Sequence, residues 1–171
     1  MRALGRAIDI CSGIPTIADL AAGANTGHRI HMRNYETLGI LFHKSTASAG
    51  TDDIVITLQE HNANTAGTSQ NLAVITEYYY KREATLDGDE VWVEVTQAAG
   101  ATLTLAGATY GALQALVFFE VEAAALSAGF QWLSVNIADP GSGGTIPGGV
   151  IYIPTGLKIQ RRPDLLAQPN A

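Results

Sequence analysis

At 171 residues the chain is long enough to enclose one real core, and 47% apolar residues set it apart from disordered sequences. Its charged fraction of 15% is low for a soluble domain, so the surface is either small-residue loop or covered by partners. A net charge of −6, with no basic cluster larger than Lys158, Arg161 and Arg162, excludes a phosphate-tracking face for nucleic acid.

No stretch reaches the roughly 18 apolar residues of a membrane span, and Asp9 interrupts the N-terminal apolar run, so neither a span nor a secretory leader is expected. Cys11 is the single cysteine, which rules out an intrachain disulfide and suits synthesis in a reducing cytosol. Residues 1–27 are punctuated by Gly13, Pro15, Gly23 and Gly27 and read as an N-terminal arm, with room for one helical turn over 16–22.

From residue 28 the pattern turns to period two. Residues 28–32 and 37–43 are predicted strands, followed by a small-residue turn at 47–50. In 53–60, Ile54, Ile56 and Leu58 share one face and Thr57 and Gln59 the other, with Val55 the exception, as in a half-buried strand. Residues 62–71 carry no apolar period and read as a loop. The β-branched and aromatic run 74–81 is a strand, Asp87-Gly88-Asp89 a turn, and 91–95 a strand with its valines inward. Residues 102–105 form a further short strand, and 116–121 is apolar enough to be central. One helical turn is predicted over 122–126, ended by Gly129. Residues 131–137 alternate with Leu133, Val135 and Ile137 inward, and 150–153 closes the series where Pro154 stops the ladder. About eight short strands and no long helix predict an all-β antiparallel sandwich, jelly-roll-like.

Catalytic and metal chemistry find little support. His28, His31, His43 and His61 lack metal-ligand spacing and read as surface or strand-end residues. Asp52-Asp53, Asp87-Gly88-Asp89 and Asp139-Pro140-Gly141 fit turn chemistry better than a calcium loop. Gly141-Ser142-Gly143-Gly144 is a flexible loop rather than a nucleophile elbow. Glu120 and Glu122 share a strand face and read as solvated. No cofactor is expected, and the chain is read as non-enzymatic. Tyr78, Tyr79, Tyr80, Trp92 and Trp132 could offer stacking faces to sugars, but filling a core or interface explains them better.

One segment carries a resemblance. Phe119-Glu120-Val121-Glu122, a short turn with Leu126, Gly129-Phe130, the strand 131–137 and Ala138-Asp139-Pro140-Gly141 come in an order that resembles small structural proteins of tailed bacteriophages. A glycine-containing loop, Val150-Ile151-Tyr152-Ile153 and the basic Arg161-Arg162-Pro163 follow in the same order. The run Thr57-Leu58-Gln59, with Gly67-Thr68 after it, agrees more weakly, and the tail departs from the usual Arg-Tyr form. The resemblance implies a capsid decoration (cement) protein, made in the host cytoplasm and carried on the capsid exterior. Its partners would be the major capsid protein and further copies of itself, commonly as a trimer at local threefold positions. Nucleic acid and membrane are not expected as partners. A tail or head–tail joining protein, or a carbohydrate-binding jelly-roll module, are the alternatives.

The expected organisation is an arm at 1–27, a sandwich at 28–154 and an extended tail at 155–171. The apolar residues of the arm and the basic and apolar residues of the tail are the candidate interface: Leu4, Ile8, Ile10, Ile14, Ile17, Leu20, Arg161, Arg162, Leu165 and Leu166.

Overall fold

In the computed structural model, residues 5, 7–48, 52–141, 144–159, 162–166 and 168–169 are described. The strands are β1 (Cys11–Asp19), β2 (Asn25–Thr26), β3 (Ile30–His31), β4 (Thr37–Lys44), β5 (Ile54–His61) and β6 (Ser69–Asn71). They continue as β7 (Ile75–Glu83), β8 (Val93–Gly100), β9 (Thr102–Leu105), β10 (Gln114–Glu122), β11 (Trp132–Ile137) and β12 (Pro147–Thr155). A one-turn helix, α1 (Gly107–Tyr110), precedes β10. Ser142 and Gly143 of the predicted loop, and residues 49–50 of the predicted turn, lie outside the described residues.

Two antiparallel sheets face each other. Sheet A runs β1-β12-β4-β10-β7-β8 and sheet B runs β2-β11-β5-β6, with β3 pairing β11 and β9 pairing β5. Setting the β7–β8 hairpin aside, β1-β12-β4-β10 over β2-β11-β5-β6 is the wrapped order of a jelly roll. Leu38, Ile40 and Phe42 of β4, Val117, Phe119 and Val121 of β10, and Val150 and Tyr152 of β12 meet Ile54, Ile56 and Leu58 of β5 and Leu133, Val135 and Ile137 of β11 in one core. Tyr152 crosses it, and its hydroxyl oxygen accepts the Val135 N–H at 2.9 Å.

Two charged side chains are buried with neutral partners. Lys44 Nζ donates to the carbonyls of Tyr110 (2.7 Å) and Leu113 (2.5 Å). Glu60 accepts from Gln70 Nε2 (2.6 Å) and the Ser127 N–H (2.8 Å). Burial works against the Glu60 carboxylate, but the hydrogen bonds from Ser127 and Gln70 outweigh it and hold its pKa below the usual value.

The structure corrects several expectations. The expected arm at 1–27 contributes strands to both sheets: residues 11–19 pair with β12, and 25–26 pair with β11. Ile14 and Leu20 are fully buried in the core and leave the interface set. The strand tolerates Gly13 and Pro15 because its register shifts between Ser12 and Ile14 and again between Ile14 and Ala18, and because β1 is an edge. The helical turn expected over 16–22 is a 3-10 turn over Leu20–Ala22. The candidate strand 28–32 is a two-residue bridge, Ile30–His31, followed by a 3-10 turn over Met32–Asn34. The 62–71 loop contains β6, which folds back on β5.

Pro154 does not end β12. Its carbonyl accepts the Asp9 N–H at 2.9 Å, on the β1 side, where pairing has thinned to an isolated Ile8–Thr155 bridge. The missing proline N–H is therefore not needed there. The tail past Thr155 partly folds back: Lys158 N–H donates to Asn34 O, and Pro169 O accepts from the His31 N–H at 2.8 Å.

Candidate interaction surface

In an antiparallel sandwich each sheet shows one face to the core and one outward, and a solvated outer face should be polar. Sheet B mostly obeys this rule. The outward positions Thr57 and Gln59 of β5, Asn136 of β11 and Thr102 and Thr104 of β9 are polar, with Val55 of β5 and Trp132 of β11 the apolar exceptions.

Sheet A breaks the rule. On β4, β12 and β10 the core takes one parity, and the other parity carries Leu41, Ile151, Ile153, Leu116 and Phe118. The registers align them. Ile151 lies opposite Leu41, Leu41 opposite Phe118, Phe118 opposite Tyr79, and Tyr79 opposite Glu94. Opposite residues in adjacent strands point to the same face, so one apolar row crosses four strands outside the core and ends on a carboxylate. All of these apolar side chains are half-buried. Gly39 belongs to this face, and the Phe118 ring lies over it, 3.1 Å from where a Cβ would stand.

His43 shares the same face, next to Leu116 and Gly149. Its Nε2 is buried without a hydrogen-bond partner among the described residues. Burial pushes the imidazole below its ordinary pKa and so favours the neutral form.

The β7–β8 hairpin extends sheet A beyond the edge of sheet B. Val93 lies opposite Tyr80, which lies opposite the core residue Val117, so the valines point to the inner side as expected. That side is not covered here: Val91 is 76% and Val93 41% exposed. The expectation of buried valines fails because sheet B is too narrow to reach them, not because the alternation is misread. On the outer side Trp92 is 46% exposed, with Lys81 Nζ 5.3 Å from its ring centre. Arg82 lies 5.0 Å from both the Tyr80 and Tyr110 rings.

Of the residues expected at an interface, Ile10 (63%) and Leu165 (54%) are exposed. Arg162 is exposed and paired with Asp164 at 2.9 Å. Ile8 and Leu166 are half-buried. Leu4, Arg161 and the Ile17 side chain lie outside the described residues. The signal for the outer face of sheet A was two-parity apolarity, Ile40-Leu41-Phe42, Leu116-Val117-Phe118-Phe119 and Val150-Ile151-Tyr152-Ile153, against β5, where Val55 alone breaks the alternation.

The histidines do not converge. His31 stacks on Trp132 at 4.3 Å, and His61, at the end of β5, is buried between Ser69 Oγ (2.6 Å) and Ser134 Oγ (2.8 Å). Asp53 accepts the Gly107 N–H at the start of α1, and Asp139 the Gly141 N–H in its own turn. Glu83, Asp89 and Glu90 bring carboxylate oxygens within 4.8 Å of one another at the β7–β8 tip. No helix among the described residues is long and apolar enough to cross a membrane. No protein-family model matches the chain, and no curated protein matches it.

Proposed function

We propose that the protein is a non-enzymatic structural component of a tailed-bacteriophage virion, a decoration protein that binds the outer surface of the major capsid protein lattice and associates with copies of itself. The observation that carries this reading is the continuous apolar row on the outer face of sheet A, against the mainly polar outer face of sheet B. A sheet with apolar residues on both parities is suited to being covered on both faces, and a protein that binds only the expanded lattice stabilises it by mass action. Sheet A would face the capsid and sheet B the solvent. The acidic net charge of −6 suits a protein kept off the genome.

The test is binding to expanded, DNA-free capsids of the encoding virus. Stoichiometric binding is expected, and Phe118→Asp combined with Ile151→Asp should weaken it at least tenfold while the thermal melt stays cooperative. Capsids that take up none of the wild-type protein would end the reading. The exposed Trp92 ring keeps a glycan-binding role in view, since Trp132 is already stacked on His31. Glycan binding abolished by Trp92→Ala would select that role instead.

A further inference from the structure

We infer that the outer face of sheet A takes a protein surface of defined chemistry: an extended apolar segment bordered by arginine or lysine. This rests on the reading that the face packs against another protein. Its apolar row is not bordered evenly. Glu94 terminates the row beyond Tyr79, Glu77 lies further along β7, and Glu120 stands opposite Gly39 with Glu122 next on the same parity of β10. These four glutamates are exposed, and no ion pair to any of them occurs among the described residues. The fields of three of them converge on one hydroxyl: Glu77 first, then burial, Glu94 and Glu120, raise the Tyr79 pKa. At the other end of β7, Lys81 lies against Trp92.

Like charges gathered at one border of an apolar surface raise the energy of the free protein and are relieved by cations brought to that border. A second copy of this chain would bring the same acids and a net charge of −6, so the charge pattern selects against it as the occupant. Nucleic acid is excluded by the same sign. What fits is a partner whose apolar side chains meet Leu41, Phe118, Ile151 and Ile153 while its cations reach Glu77, Glu94 and Glu120.

The test uses two short extended peptides with the same Leu-Val-Leu centre, one flanked by arginines and one by glutamates, titrated into isotopically labelled full-length protein. The arginine-flanked peptide should shift amide resonances of β4, β7, β10 and β12. Its affinity should fall at least fivefold between low and moderate salt, and as much in Glu77→Gln/Glu94→Gln/Glu120→Gln. The glutamate-flanked peptide should leave the spectrum unchanged. An equal response to both peptides, no response to either, or binding indifferent to the triple substitution would overturn the inference. Capsid uptake is a separate measurement: its failure removes the virion reading and leaves the peptide result to decide this one.

Discussion

His61 is the buried residue whose chemistry gives the clearest solution signature. Burial first, and the neighbouring Arg29 second, push its imidazole down to about 4, while Glu60 acts in the opposite sense. An unfolded histidine titrates near 6.5. Between these values the unfolded chain binds more protons than the folded one, so stability is complete above pH 6.5 and is lost as pH falls towards 4. The contribution is on the order of 3 kcal/mol at most. Denaturant midpoints should therefore fall more steeply from pH 7 to pH 4.5 in the wild type than in His61→Gln. Parallel profiles would show that this imidazole is not the group responsible. The sequence placed His61 at a strand end, which is correct, but not in the interior. Its burial depends on Ser69 and Ser134, which reach it from β6 and β11.

At the scale of elements, β1 shows what an edge strand can absorb and what it cannot. A Cβ on Gly13 would stand 2.7 Å from the Tyr152 ring, and that ring is held from below by its bond to Val135. Gly13→Ala should cost about 1–3 kcal/mol by overpacking, read as a lower denaturant midpoint with an unchanged slope. An unaltered midpoint would mean that the ring can move aside. Strands β5 and β11 were legible because their alternation survives in the sequence, and β4, β7 and β10 because their runs are rich in β-branched, aromatic and other apolar residues. β1 was not, since Gly13 and Pro15 signal breaks unless a bulge and a free edge are already known to be there. The exposure of Val91 and Val93 was equally out of reach, because it depends on the widths of two sheets and not on any local pattern. The outer face of sheet A lay within reach: its second apolar parity is written in β4, β10 and β12, while expectation settled on the termini instead.

For the molecule as a whole, the arrangement of β12 governs when the fold can form. This strand lies between β1 and β4, pairing Cys11 with Tyr152 and Phe42 with Val150. Without it, the two strands it joins have no neighbour on their facing edges, and the core lacks Val150 and Tyr152. Refolding should be slow for a chain of this size, in the millisecond-to-second range typical of long-range β pairing, and a chain ending at residue 146 should show no cooperative melt. Because Ile151 comes from this same strand, a copy that lacks β12 loses the first member of the continuous Ile151–Leu41–Phe118 row as well as part of its core.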